Sequence, residues 1–359
     1  MKEDKRTILL TGATGLVGSY LLKILLKNNH KVFVLARSKV GKSAKERVVE
    51  VLNFWDKGIY PKHWKNLIVL EGDITDKNLG FTDKDLTKLK NKVEEVFHCA
   101  ALTKLNSSLD ELRNINVKGT QNLLNFVQGV KKIDKINFVS SAFVCGNYLG
   151  EFNEQSIDVG QGFITPYEQS KFEAEKEIIC YRTKFPINIY RPSAILGETQ
   201  TGKVLNFNQI FYQVMRMLAQ NIFSIFPVKD AYVNTVPVDE VANSIYLISQ
   251  ISVRNSNFHI FAKPISLEKI VNFLFEYLNT SGPKIISRKR INNYPLSSTQ
   301  KEILKKTIFS FNSGGLVNSD ATQVFLKKLK FSFSNLDKNY FFAQFRFLEQ
   351  SKFIKKYDI

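Results

Sequence analysis

Residues 11–18, Thr-Gly-Ala-Thr-Gly-Leu-Val-Gly, set three glycines at three-residue spacing between two different kinds of stretch. Residues 7–11 are a short apolar run suited to a buried parallel strand, and residues 16–26 carry apolar side chains at helical spacing. A strand that turns straight into a helix through such a segment has a steric use for each glycine. The first permits the tight turn, the second lets backbone N–H groups approach a pyrophosphate, and the third lets the helix pack close to the sheet. The helix N-terminus then favours the anion. Gly12, Thr14, Gly15, Leu16, Val17 and Gly18 are therefore candidate dinucleotide contacts. The plainer alternative is a tight strand–helix turn with no ligand. The segment also superficially resembles a secretory leader, because Lys2, Lys5 and Arg6 precede it. Its glycines and threonines break the apolar run, however, and no convincing cleavage site lies before Lys27-Asn28-Asn29.

The strand–helix alternation continues. Residues 31–36, 67–71, 94–98, 135–139 and 186–190 repeat the apolar strand pattern, with helical stretches such as 109–129 and 165–184 between strands. That rhythm predicts an α/β fold, a doubly wound parallel sheet of the Rossmann type covered on both faces. After Pro192 it changes. A helical stretch at 207–218, short strands at 232–236, 257–261 and 284–288, helices near 238–250 and 266–279, and a Phe- and Lys-rich helical tail at 298–359 predict a smaller C-terminal α/β cap lobe. The expected division is a core over 1–192 and a cap over 193–359, with 237–262 returning to the core.

Composition narrows the class. Hydrophobic residues make up 44% and include 29 Phe, enough for a packed core, which excludes disorder as the main state. The three cysteines, Cys99, Cys145 and Cys180, lack paired spacing, and the four histidines lack metal-site spacing, so neither a disulfide framework nor a metal centre is expected. No run of about 18 uninterrupted apolar residues occurs, so no membrane span is expected. The chain reads as soluble and cytoplasmic. A net charge of +18 permits an anionic partner without choosing one.

Cofactor choice is decided where the second strand ends. An acidic residue there would bind the ribose 2′-OH of NAD, whereas the chain has Arg37, which suits the 2′-phosphate of NADP (NADPH). Arg47, one helix on, is a second candidate for that phosphate; Arg37 as a solvated surface charge is the alternative. Asp73 is placed to accept from the adenine amino group or, equally, to cap a turn. Further along, Tyr167 and Lys171 stand four apart at the start of a helix, on one face. A neighbouring ammonium lowers a phenol's pKa towards the working range. Ser140-Ser141 ends a strand where an open α/β sheet meets its ligand, and Asn116 lies on the preceding helix.

Taken in order, the glycine segment, Asn116 in N-V-x-G-T, Ser141 in S-S-A-x-V-x-G, Tyr167/Lys171 and Tyr190-Arg191-Pro192 resemble the extended short-chain dehydrogenase/reductases over roughly residues 6–280. The resemblance implies Tyr167 as acid/base and Lys171 as ribose holder and modulator of the tyrosine. It implies Ser141 as carbonyl polariser and Asn116 as the residue ordering a relay water. It also implies cofactor contacts from Ile74, Ala100, Ala101, Thr103, Lys171, Pro192, Ser193 and Ile195. Cys145 departs from the tyrosine many members carry there. His98-Cys99-Ala100-Ala101, the R-P-S-A-I-L-G segment at 191–197 and V-N-T-V-P-V-D at 233–239 are similar to the thioester reductase branch, with its fatty acyl-CoA reductase and male-sterility-type domains. His98 reads as a strand-end packing residue and Asp239 as lying near a helix cap.

That branch implies NADPH-dependent reduction of an acyl thioester, borne by coenzyme A or an acidic acyl carrier protein, to an aldehyde or alcohol. Lys284, Arg288-Lys289-Arg290, Lys301, Lys305-Lys306, Lys327-Lys328 and Lys330 are candidate docking cations, or else solvated surface. The aromatic tail fits core spacing better than base stacking, so no nucleic-acid partner is expected. A ketone or secondary-alcohol oxidoreductase, a nucleotide-sugar epimerase or dehydratase, and a non-enzymatic NADP-sensing scaffold are the competing readings.

Overall fold

The computed structural model describes residues 5–104, 106–229, 231–261, 263–294, 296–297, 300 and 317–355. Lys301, Lys305 and Lys306 lie outside them. The chain divides into two compact units. The first comprises Met1–Pro192, Val241–Ile260 and Gly314–Ser332, and the second Ser193–Glu240, Phe261–Ser313 and Phe333–Ile359.

In the first unit the strands are β1 (Thr7–Thr11), β2 (Lys31–Ala36), β3 (Leu67–Glu71), β4 (Glu95–His98), β5 (Lys135–Val139) and β6 (Ile187–Pro192), joined by strand Asn257–Ile260. All seven pair in parallel, in the order Asn257–Ile260, β6, β5, β4, β1, β2, β3. Parallel strands need crossovers, and the helices that supply them are α1 (Leu16–Lys27), α2 (Ala44–Trp55), α3 (Ile59–His63), α4 (Asp83–Lys92), α5 (Leu109–Leu112), α6 (Gly119–Gln128) and α7 (Pro166–Cys180). Leu9, Phe33, Val96, Ile136, Phe138 and Ile189 of the sheet are buried in one cluster with Leu89, Leu124 and Ile178 of the helices. The winding reverses between β1 and β4. In open α/β sheets that crevice, at the carboxyl ends of the strands, is where ligands bind.

The second unit is built from small strand pairs: Thr235–Pro237 beside Ala194–Leu196, Ile265–Ser266 beside Tyr232–Val233, and Lys284–Ser287 beside Ile225–Lys229. Helices Ile210–Ala219, Leu267–Leu278 and Lys338–Gln350 bury Phe211, Leu274, Phe341 and Phe345. Phe341 and Phe345 of the aromatic tail are thus core residues. Among the described residues no helix is long and apolar enough to cross a membrane.

Two elements differ from the sequence expectation. The stretch 109–129 is not one helix. A π turn, Arg113–Lys118, separates α5 from α6. The tail is also divided: helix Asp320–Lys328 groups with the first unit, because Thr322 Oγ1 accepts from the His259 backbone N–H at 3.0 Å and Phe325 packs on Phe258.

Candidate active site

The glycine turn opens the site. Gly12 has φ +74°, and a Cβ there would meet the backbone of Cys99 and Ala100 at 2.5 Å. A Cβ on Gly18 would meet the Gly12 carbonyl oxygen at 2.3 Å, so Gly18 is what lets α1 seat against the turn. Gly15 is different, since a Cβ there would meet only the Gly12 carbonyl oxygen, at 3.2 Å. It stands open at the N-cap of α1, which has neither a side-chain cap nor an acidic residue in its first turn. The unsatisfied N–H groups of that helix end, with open space before them, fit a pyrophosphate.

The ends of β2 and β3 carry the adenosine side. Arg37 Nη1 donates to Asp73 Oδ2 at 3.0 Å, so these two sequence candidates are partners. Asp73 Oδ1 accepts from the Thr75 backbone and hydroxyl, both at 2.9 Å, the turn-capping alternative realised. Arg47 donates to the Arg37 carbonyl and reaches Thr14 Oγ1 at 3.5 Å. Thr14, Lys39, Lys42 and Arg47, with Val40, Glu50 and Val51, line a cavity of 330 Å³, and Glu50 is engaged by Lys42 at 2.6 Å. The net lining is cationic. Lys39 and Lys42 were not singled out from sequence, although the run 37–47 carries them in plain view. Ile74 is buried against Gly119, while Ala101 is half-buried and Thr103 exposed.

The catalytic candidates converge at the end of β5. Thr165, Pro166 and Glu168 form a capping box with proline at the first helical position, which fixes where α7 starts. Tyr167 and Lys171 therefore stand one turn apart facing β5. The Ser141 side chain stands near enough to the Tyr167 phenol to act on its proton affinity. Ser141 Oγ accepts from the Phe143 N–H at 3.2 Å, whereas Ser140 Oγ turns away and donates to Glu175 at 2.6 Å. Lys171, 2% exposed, donates to the Val139 carbonyl at 2.9 Å and lies 4.6 Å over the Phe138 ring. Burial lowers its ammonium to about 8. Burial also pushes the Tyr167 phenol up to about 12, with the neighbouring Ser141 hydroxyl opposing. Desolvation dominates, and the phenol is protonated at neutral pH.

Asn116 lies inside the π turn and is 2% exposed. Its amide oxygen accepts from the Leu102 N–H at 2.7 Å. Its amide nitrogen donates to the Leu102 carbonyl at 3.1 Å and to Ser170 Oγ at 2.9 Å. Ser170 in turn donates to the Tyr167 carbonyl. The side chain thus clamps the loop after β4 to the first turn of α7. Below them, Arg191 donates to both Glu175 oxygens, to the Ser156 carbonyl and towards His259 Nε2, and stacks over Phe152. Glu175 was missed from sequence, yet Tyr167, Lys171 and Glu175 repeat at four-residue spacing, a signal that could have found it. Pro192 ends β6. Ser193 and Ile195 belong to the second unit, where Ser193 Oγ donates to the Asn234 carbonyl and Ile195 pairs with Val236. Among the described residues no group of three or more His, Cys, Asp or Glu could hold a metal ion.

A family profile described as male sterility protein matches residues 10–245. The chain belongs to this family. It is an extended short-chain dehydrogenase/reductase of the thioester reductase branch. It is similar to fatty acyl-CoA reductase 1 of Xenopus laevis, 34% identical over 277 residues, which is 67% of this chain and 53% of that one. The chain spans between half and two thirds of the length of such curated relatives. In fold it is similar to the terminal R domain of the myxalamid PKS-NRPS pathway (TM-score 0.85, 22% identity, covering 99% of this chain and 93% of that one). A thiolation-reductase di-domain from an archaeal non-ribosomal peptide synthetase is also similar (TM-score 0.84, 23% identity, 98% and 77% covered).

Proposed function

We propose that this protein reduces an acyl thioester to an aldehyde with NADPH, the acyl group arriving on the phosphopantetheine arm of coenzyme A or of an acidic carrier protein. The observation that carries the reading is the convergence of Ser141, Tyr167 and the buried Lys171, tied to the Val139 carbonyl, at the carboxyl end of a parallel sheet whose first turn fits a pyrophosphate. The fatty acyl-CoA reductase and thiolation-reductase relatives support the substrate class. The cationic cavity around Arg47 supports a 2′-phosphate and hence NADPH over NADH.

When bound, the nicotinamide supplies a hydride to the carbonyl carbon. Ser141 and Tyr167 act on the oxygen, as two hydrogen-bond donors aimed at the developing oxyanion. One such donor is worth roughly 10²–10³ in kcat. Tyr167, a phenol below pH 12 or so, gives the oxygen its proton. Lys171, an ammonium below about pH 8, is the positive charge beside it. The hemithioacetal then loses its C–S bond, and aldehyde and thiol leave. Asn116 contributes by holding Tyr167's helix against the loop after β4. A cytoplasmic setting is part of the proposal, supported by the free thiols of Cys99, Cys145 and Cys180.

The test is to follow NADPH absorbance with a panel of acyl-CoAs of graded chain length, then with ketones and nucleotide sugars. Oxidation with a thioester, lost in Tyr167→Phe, is expected. Turnover of a ketone or nucleotide sugar with no response to any thioester would overturn the proposal.

A further inference from the structure

One buried polar chain beneath the site is not used by the chemistry above. The Ala100 N–H donates to Thr11 Oγ1 at 3.3 Å, and Thr11 Oγ1 lies 2.7 Å from His98 Nδ1. His98 Nε2 lies 3.1 Å from Thr120 Oγ1, and Thr120 Oγ1 donates to the Asn116 carbonyl at 2.6 Å. Thr11, His98 and Thr120 are each 1% exposed or less. Proton counting fixes the direction. Thr120 has one hydroxyl proton and spends it on Asn116, so it accepts from His98 Nε2–H. A neutral imidazole with Nε2–H has a bare Nδ1, which takes the Thr11 hydroxyl proton. The chain runs one way, from the backbone of Ala100 to the carbonyl of Asn116. Burial and the nearby Lys171 ammonium both hold the imidazole neutral.

What the chain ends on gives it meaning. A π turn carries one residue more than an α turn, has poorer hydrogen bonding and is uncommon, so it persists where something holds it. Here a side-chain hydroxyl holds the Asn116 carbonyl in the middle of the turn. Relaxation of that turn to α geometry would rotate Asn116 by about 100°. Its amide would then leave Leu102 and Ser170.

We infer that His98 is a positioning residue. Through Thr120 it locks the π turn that aims Asn116 at the Tyr167 helix, and through Thr11 it ties that turn to the phosphate-binding loop. The strand-end histidine is therefore a bridge between the cofactor turn and the catalytic helix, not packing alone. Its kinetic consequence rests on the proposed thioester reduction, whereas its hydrogen-bond geometry does not.

Two measurements separate these. In the first, ¹⁵N-histidine NMR reads the ring nitrogens directly, with only four histidines to assign. His98 is expected as the Nε2–H tautomer throughout pH 5–8, and in Thr120→Val its Nε2 resonance shifts. An Nδ1–H tautomer, or titration within that range, overturns the inference whatever the protein's activity. In the second, Thr120→Val, which keeps shape and removes the hydroxyl, is compared with Thr120→Ser. The expected result is a kcat lowered about tenfold or more in Thr120→Val, with NADPH affinity within about twofold of the parent and kcat largely restored in Thr120→Ser. A Thr120→Val protein that melts earlier but keeps its kcat has a structural hydroxyl only, and that overturns the positioning role. A parent protein inactive on every thioester overturns the proposed function instead and leaves the tautomer result standing.

Discussion

Glu175 and Glu173 lie on the same helix, each bound to an arginine, and differ in burial. Glu175 is 2% exposed and its partner Arg191 is fully buried, whereas the Glu173–Arg113 pair is 27% and 43% exposed. Glu175→Gln leaves the Arg191 charge uncompensated in the interior, with a neutral amide oxygen, the Ser156 carbonyl, His259 Nε2 and the Phe152 face as its contacts, and Ser140 loses a charged acceptor. Breaking one half of a buried pair costs about 3–5 kcal/mol, and the surviving contacts place this case near 3. For a cooperative unit of about 230 residues, each kcal/mol moves Tm by roughly 2–4 °C, so a drop of about 6–12 °C is expected. Differential scanning fluorimetry at pH 7 reads it, with Glu173→Gln as the internal control that leaves Tm essentially unmoved, because exposed pairs contribute little. The double substitution Glu175→Leu with Arg191→Met removes both charges and recovers most of the loss. Equal Tm changes for the two single substitutions would refute the assignment of Arg191–Glu175 as the buried tie beneath Lys171.

Gly12→Ala forces an alanine to φ +74° (about 1–2 kcal/mol) and a methyl against the Cys99–Ala100 backbone (about 1–3 kcal/mol), and calorimetric titration should show nucleotide binding lost before the fold is. Arg47→Ala removes a charge-assisted contact worth about 1.5–3 kcal/mol, so the NADPH Kd rises roughly 10–100-fold with NADH unchanged; equal effects on both cofactors contradict the 2′-phosphate assignment. The Lys171 ammonium, lowered by burial to about 8, is intact below that pH and is lost as pH rises through it, so the pH–rate profile should fall on its alkaline side near 8; a profile flat to pH 10 contradicts this.

The sheet was legible in the sequence because its strands are continuous apolar runs and its turns carry glycine, and both follow from burial on two faces. Ser141, Tyr167 and Lys171 were legible because helical and strand periodicities place them at one end of that sheet. The π turn was not. Its residues, Arg113–Lys118, carry no proline or glycine break, and what holds the turn is Thr120 bonded to Asn116 beneath a histidine from another strand. Pairings across such sequence distances, like Glu175 with Arg191 or Arg37 with Asp73, leave no local mark. Residue spacing likewise reports the proximity of Tyr167 and Lys171 and says nothing of the desolvation that raises the phenol.

In the proposed reaction hydride reaches the carbonyl carbon of a thioester and the thiol then leaves. Incubation with NADPH deuterated at the transferring position and an acyl-CoA, followed by mass spectrometry and thiol titration, tests both halves together. Deuterium on the aldehyde carbon and one free thiol per NADPH consumed are expected, both abolished in Tyr167→Phe. Nicotinamide oxidation without thiol release, or thiol release without deuterium in the product, would contradict it.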